Sequence, residues 1–165
     1  MDSLSKRISP GLTLAFLSAP GWLVPRLAVA LRSGAWGAGG FALDVGGRWL
    51  ADGTVAALEK AKRADAAARQ SAAAARFTGL PVRANPVAYH LWLDLPGHWR
   101  AEAYALAAAR RGIAITPDAA FAVLPGHTPN AVRLALAGPD LDALVSALSV
   151  LANLARGEPE PIDIE

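Results

Sequence analysis

The sequence predicts an α/β chain whose second half closes into an α+β lobe, a short sheet covered by helices. Three observations predict this. Tyr89, Leu91, Leu93 and Leu95 alternate with His90, Trp92 and Asp94, and Val132, Leu134 and Leu136 alternate with Arg133 and Ala135. Period two is the pattern of a half-buried strand. Thr54 to Phe77 is rich in alanine and carries Glu59/Arg63 and Asp65/Arg69 at i,i+4 spacing, the composition of a long helix. Leu141, Leu144, Leu148 and Leu151 fall on a single helical face behind Asp140, whose short acceptor side chain suits an N-cap.

The remaining elements follow in order. Leu12 to Ala19 reads as a short buried strand closed by Pro20-Gly21, and Leu23, Leu27 and Leu31 as the stripe of a helix that stops near Gly34. Ala35 to Gly40, glycine-rich beside Trp36, is a turn, and Phe41 to Ala51 a second helix despite Gly46-Gly47. The long helix that follows measures about 36 Å at about 1.5 Å per residue. Its polar content is too high for a buried rod, so it is expected to bridge two lobes and lie partly in solvent until Gly79 and Pro81 end it. After the Tyr89 strand come a helix from Trp99 to Arg111 closed by Gly112, a strand at Ile113-Ala114-Ile115, the Val132 strand and the Asp140 helix, which Gly157 ends. The order β-α-β-β-α describes a compact lobe with helices on one side of the sheet. The expected divisions are 1–53, a helix over 54–79, a small domain over 80–157 and a frayed acidic tail over 158–165.

Composition narrows the function. Of 165 residues 53% are hydrophobic, enough to bury a core, and 16 basic against 14 acidic side chains leave the chain nearly neutral. The cations are scattered without an aromatic-interleaved stripe, so no nucleic-acid contact is expected from this chain. Cysteine is absent, which excludes disulfides and thiolate chemistry, and His90, His98 and His127 lack metal-ligand spacing, so no metal is expected. Lys6-Arg7 ahead of an apolar stretch and Ala28-Val29-Ala30 mimic a secretory leader, but Pro10, Pro20, Gly21, Pro25 and Arg26 interrupt it. A soluble, cytoplasmic protein is expected. Trp22, Trp36, Trp49 and Trp99 are expected to anchor cores or interfaces, and Trp92, on the outward strand face with His90 and Asp94, to pack on the long helix or else to face a substrate.

Two places carry chemistry. In Ser3-Leu4-Ser5-Lys6-Arg7-Ile8-Ser9-Pro10-Gly11-Leu12-Thr13-Leu14 an amine stands beside short hydroxyls and a Pro-Gly turn. An amine can condense with an aldehyde, and hydroxyls or backbone N–H groups can hold a phosphate next to it. Taken alone, Ser-x-Ser-Lys reads first as a surface turn with a solvated lysine. Arg133 lies on a strand whose Val132, Leu134 and Leu136 face the core, so it emerges on the other face. By spacing alone it reads first as an ordinary solvent-facing arginine.

The first segment resembles the stretch of fold-type I aminotransferases in which a lysine binds pyridoxal 5'-phosphate (PLP). Tyr89-His90-Leu91-Trp92-Leu93, Arg111-Gly112-Ile113-Ala114-Ile115-Thr116-Pro117 with Phe121, and Pro129-Asn130-Ala131-Val132-Arg133-Leu134-Ala135-Leu136 resemble the C-terminal domain of MocR-type proteins. Those are aminotransferase-like domains usually fused behind a GntR winged helix. Order and spacing agree from Lys6 to about Leu154. The resemblance implies PLP as cofactor, an internal aldimine on Lys6 as the catalytic residue, Ser3, Ser5 and Thr13 as phosphate ligands, and Arg133 as the ligand of the substrate α-carboxylate. It implies amino-group transfer between amino and oxo acids, a homodimer, and residues 1–53 as the remainder of a PLP-binding large domain. Many relatives have an arginine at the position of Thr13 and a glycine at that of Ala15, so phosphate affinity should be lower here unless Arg7 compensates. Only Met1 to Ser5 precede the lysine, so the sequence is expected to be the C-terminal portion of a longer protein, without turnover of its own. Two other classes stay open: an effector- or cofactor-sensing module of a MocR-type regulator, and a non-enzymatic truncated remnant.

Overall fold

The computed structural model describes residues 2–9, 11–34, 37–123 and 128–159. Pro10, Trp36, His127 and the end of the acidic tail, 160–165, lie outside the described residues, as does part of the expected 35–40 turn. The chain forms two compact units, Met1–Lys62 and Arg63–Glu165.

In the first unit β1 (Asp2–Ser3) pairs antiparallel with β2 (Ala15–Phe16), in the register Asp2↔Phe16 and Ser3↔Ala15. Between them runs α1 (Leu4–Arg7), a single turn. The strand expected over Leu12 to Ala19 shrinks to Ala15–Phe16. The cause is local turn bonding: the Leu12 N–H donates to Ser9 O (3.0 Å) and the Leu14 N–H to Leu12 O (2.7 Å), which removes both donors from any ladder. The two helices that follow are α2 (Val24–Gly34) and α3 (Gly40–Ala51), close to the predicted spans. Of the Leu23/Leu27/Leu31 stripe, Leu27 and Leu31 lie on α2 and Leu23 in the 3-10 turn before it, yet no residue of α2 is buried and Leu31 is 59% exposed. The core is Leu4, Ile8, Leu12, Leu14, Ala42 and Val55, with Val45 and Trp49 half-buried against it. Gly46 makes this packing possible: a Cβ there would stand 2.5 Å from Leu14 Cδ2 and 3.2 Å from Leu4 Cδ1. The glycine that weakened the helix on paper is the seat of the Lys6 turn's two leucines.

Helix α4 (Thr54–Arg76) runs for 23 residues as the composition predicts. It contributes Val55 to the core just described, and Ala73, with Phe77 just beyond it, to the core of the second unit. Asp65 and Arg69 form the predicted pair at 2.9 Å. The Glu59 carboxylate pairs with Arg7.

In the second unit β3 (Val82–Ala84), β4 (His90–Asp94), β5 (Thr116–Pro117) and β6 (Ala131–Ala135) form an antiparallel sheet in the order β3-β4-β6-β5. The order is β-β-α-β-β-α, one strand more than predicted, because β3 is a three-residue edge strand flanked by Pro81 and Pro86. Helices α5 (Ala101–Arg110) and α6 (Leu141–Arg156) cover one face with α4, burying Phe77, Leu91, Leu93, Tyr104, Val132, Leu134, Leu136, Leu144, Leu148 and Leu151. Helix α5 ends at Gly112, in the left-handed region at φ +76°. The next N–H, of Ile113, returns to Ala108 O at 3.0 Å, so residues just past Gly112 cap the helix and the strand begins at Thr116, not Ile113. Asp140 caps α6 by accepting from the Ala143 N–H at 2.8 Å, and Gly157 closes it. Leu141, predicted on the buried stripe, is 45% exposed.

The tryptophans divide. Trp99 is buried, its indole N–H donating to Leu154 O (3.1 Å) and Gly157 O (2.9 Å), with its ring edge-on to Tyr104. Trp49 is half-buried, whereas Trp22 is 74% exposed and anchors nothing among the described residues. Trp92 does not touch the long helix. Alternation puts it opposite Leu91 and Leu93, and those two face the helices.

Candidate functional site

The Lys6 segment is a hairpin tied together by its own serines. The Ser3 hydroxyl donates to Leu14 O (3.3 Å) and accepts from the Ser5 N–H (3.2 Å), and the Ser5 hydroxyl donates to Leu12 O (2.8 Å). Leu4 points down into the core, so Lys6, two residues on, is carried to the exposed side of the turn. Its amine has no ion-pair or hydrogen-bond partner among the described residues. Thr13 is exposed, and its hydroxyl is likewise unpartnered among them.

Arg7 is occupied. Its guanidinium pairs with Glu59 and with Asp2, and the Glu59 hydrogen bond, helped by the charges of Asp2 and Glu59, raises it further above its ordinary value. A phosphate would have to displace carboxylates to use it. The Lys62 amine is engaged too, donating to Ile8 O. Of the residues predicted to hold a cofactor, Lys6 and Thr13 present open polar groups, and Ser3 and Ser5 spend their protons on backbone carbonyls.

Arg133 belongs to the second unit. It is half-buried on β6, on the sheet face opposite Val132 and Leu134, as alternation predicts. Its guanidinium carbon lies 5.5 Å from the centroid of Phe121, and no carboxylate pairs with it among the described residues. Phe121 meets Trp92 edge-on, 5.2 Å between centroids at 75°. On the other side of Trp92 stands Arg83, 5.9 Å from the ring, held by Asp94. Composition did not single out Arg83, Asp118 or Asp94. Cross-strand register finds Arg83, since Arg83↔Trp92↔Arg133 is one row of the sheet; Asp94 is found as its ion-pair partner and Asp118 by its burial.

No family model matches the sequence, and no curated protein is found similar to it. Solved structures are. The chain superposes on an α-aminoadipate aminotransferase of Thermus thermophilus with a TM-score of 0.77 at 21% identity, over 94% of this chain and 41% of that one. A multiple substrate aminotransferase of Thermococcus profundus gives a TM-score of 0.80 at 16% identity, over 93% of this chain and 39% of that one. The fold is part of an aminotransferase fold. A kynurenine aminotransferase of Pyrococcus horikoshii agrees, at a TM-score of 0.78 and 19% identity over 93% of this chain and 39% of that one. The first of these was solved with N-(5'-phosphopyridoxyl)-L-leucine and the last with PMP. The chain therefore spans about two fifths of the length of the solved aminotransferases it matches. Among the described residues no helix is long and apolar enough to cross a membrane.

Proposed function

We infer that the chain is the C-terminal part of a PLP-dependent aminotransferase-like protein, with Lys6 as the cofactor lysine and Arg133 as the ligand of the amino acid's α-carboxylate. What supports the reading is the likeness to solved aminotransferases over 93–94% of the chain. Amino-group transfer belongs to the longer protein, a cytoplasmic homodimer of the MocR-like group in this reading. The 165-residue chain alone is without turnover.

The residues fit the group in part. The exposed amine of Lys6 suits a carbonyl partner, and Thr13 offers one hydroxyl donor to a phosphate. Ser3 and Ser5 join it only by exchanging their bonds to Leu14 O and Leu12 O. When bound, PLP supplies an electron sink for negative charge at the substrate α-carbon. The chain's own contributions are distinct from that. Lys6 Nζ takes and returns a proton beside the α-carbon. Arg133 fixes the carboxylate with a planar two-pronged fork that lysine cannot reproduce. Phe121 lies against the guanidinium.

Separate titrations of cofactor and amino acid test the two assignments. Lys6→Ala removes lysine-bound PLP, and Arg133→Lys leaves PLP affinity intact while weakening the amino acid by about 1.5–3 kcal/mol per charge-assisted bond lost. A change in cofactor affinity with Arg133→Lys, and none in amino-acid affinity, would show the carboxylate assignment to be wrong. A second reading, a cofactor- or effector-sensing module of a MocR-type regulator, is favoured by one observation: Thr13 carries no charge where the aminotransferase pattern has arginine. Slow or absent transamination by the complete protein, with PLP bound, would select it.

A further inference from the structure

The sheet face that carries Arg133 has a polarity of its own. Arg83, Trp92, Arg133 and Thr116 are register partners on β3, β4, β6 and β5, so their side chains share one face. Arg83, Trp92, Phe121 and Asp118 line an open recess of about 290 Å³ on this face. Two arginines stand in the row, and they are held differently. Arg83 is chelated by Asp94: its Nε lies 3.1 and 3.0 Å from the two carboxylate oxygens and its Nη2 2.7 Å from Oδ1. Among the described residues Arg133 is paired with no carboxylate and lies against the Phe121 ring. Among the described residues, a carboxylate arriving here therefore meets one cation not held by a carboxylate, Arg133, and not two.

Arg133 stands beside the recess, against Phe121, and the described lining continues the discrimination. Asp118 is 5% exposed, so the buried polar group of the recess is an acid and not a second base. Trp92 and Phe121, edge to face, present aromatic surface beside Arg133, and the faces of such rings repel anions and favour apolar or edge-on aromatic contacts. A second carboxylate in this recess would meet Asp118 and the ring faces, with Arg83 withheld by Asp94.

We propose that this face selects a monocarboxylate with a flat apolar body, the class of aromatic amino acids and their oxo acids, over a dicarboxylate, with Trp92 and Phe121 as the selecting side chains and Asp94 as the residue that withholds Arg83. The proposal rests on Arg133 as the carboxylate ligand. It assigns specificity, on which that reading is silent.

The test titrates 3-phenylpropionate and glutarate into the ¹⁵N-labelled 165-residue chain and follows the indole N–H peak of Trp92, assigned with Trp92→Phe. The expected result is a shift of that peak by 3-phenylpropionate, with binding about tenfold tighter than glutarate. Asp94→Asn should release Arg83 and raise glutarate affinity severalfold, leaving 3-phenylpropionate nearly unchanged, and Phe121→Ala should weaken 3-phenylpropionate more than glutarate. Should Asp94→Asn fail to fold, the charge-neutral pair Arg83→Gln with Asp94→Asn reads the same feature: it deletes the cation together with the carboxylate that withholds it and must leave both affinities nearly unaltered. Equal or tighter glutarate binding to the wild-type chain, no peak shift with either probe, or a fall in glutarate affinity with the Arg83→Gln and Asp94→Asn pair overturns the proposal. Arg133→Met separates the two levels. If both probes depend on Arg133 but bind equally, selection alone is wrong; if neither depends on it, the carboxylate assignment beneath it is wrong.

Discussion

Gln70 offers the sharpest test of how α4 is seated in the second unit. The side chain is only 8% exposed, and its Nε2 donates to Ala88 O at 2.7 Å and to His90 O at 3.0 Å, the residues that lead into β4. Gln70→Leu keeps the volume and removes both donors; at about 0.5–1.5 kcal/mol per bond the loss is about 1–3 kcal/mol. Gln70→Glu also removes the donors and aims a carboxylate at two carbonyl oxygens. Burial and those oxygens raise the carboxyl's folded value above the unfolded value of about 4.3. The sign follows. Below about pH 4 the group is neutral in both states and its O–H can donate to one carbonyl, whereas stability falls as the pH rises from the unfolded toward the folded value. At pH 7 Gln70→Glu should therefore be less stable than Gln70→Leu, and near pH 4 the difference should close or reverse. Urea unfolding followed by circular dichroism at the two pH values measures it. Wild-type stability of Gln70→Glu at pH 7, or a deficit that does not change with pH, would refute the seating of α4 on Ala88 and His90.

Two further outcomes follow from single contacts. The Asp65 carboxyl is held below its ordinary value first by the Tyr89 hydroxyl at 2.8 Å and then by Arg69, so its stabilising effect is present above the unfolded value and lost as the pH falls through the folded one. Tyr89→Phe should move Asp65 back up toward the ordinary range in a carboxyl ¹³C titration; an unchanged midpoint would mean that the hydroxyl is not the cause. Thr13→Arg should tighten PLP by about tenfold or more, the worth of one charge-assisted contact of about 1.5–3 kcal/mol, and unaltered affinity in an equilibrium titration would move the phosphate away from Thr13.

What the sequence made legible was whatever depends on period and caps. The long helix, the Leu91/Leu93 and Val132/Leu134 strands, the Asp140 cap and the emergence of Arg133 opposite the core all follow from alternation or from single-residue chemistry. Pairing that is decided between distant segments was not legible. Glu59 has Arg63 at i,i+4 spacing, but its pairing with Arg7 comes from far along the chain. The apolar run after Leu12 looked like a strand, but the bonds from Leu12 to Ser9 and Leu14 to Leu12 use its donors locally. β3 hid between two prolines, and with it Arg83, whose place beside Trp92 exists only through register. The serines flanking Lys6 have the composition of a phosphate cup and the geometry of a hairpin clasp. A hydroxyl's partner is a tertiary fact that residue type does not carry.

The central assignment is to Lys6, and the chain is favourable for testing it because its lysines are only Lys6, Lys60 and Lys62. The 165-residue chain would be incubated with PLP, reduced with borohydride, digested, and the pyridoxyl label quantified on each lysine by mass spectrometry. Concentration of the label on Lys6 is the predicted result, since its amine is open on the turn between Ser5 and Arg7. Label spread evenly over the three lysines, or concentrated on Lys60 or Lys62, would contradict the assignment.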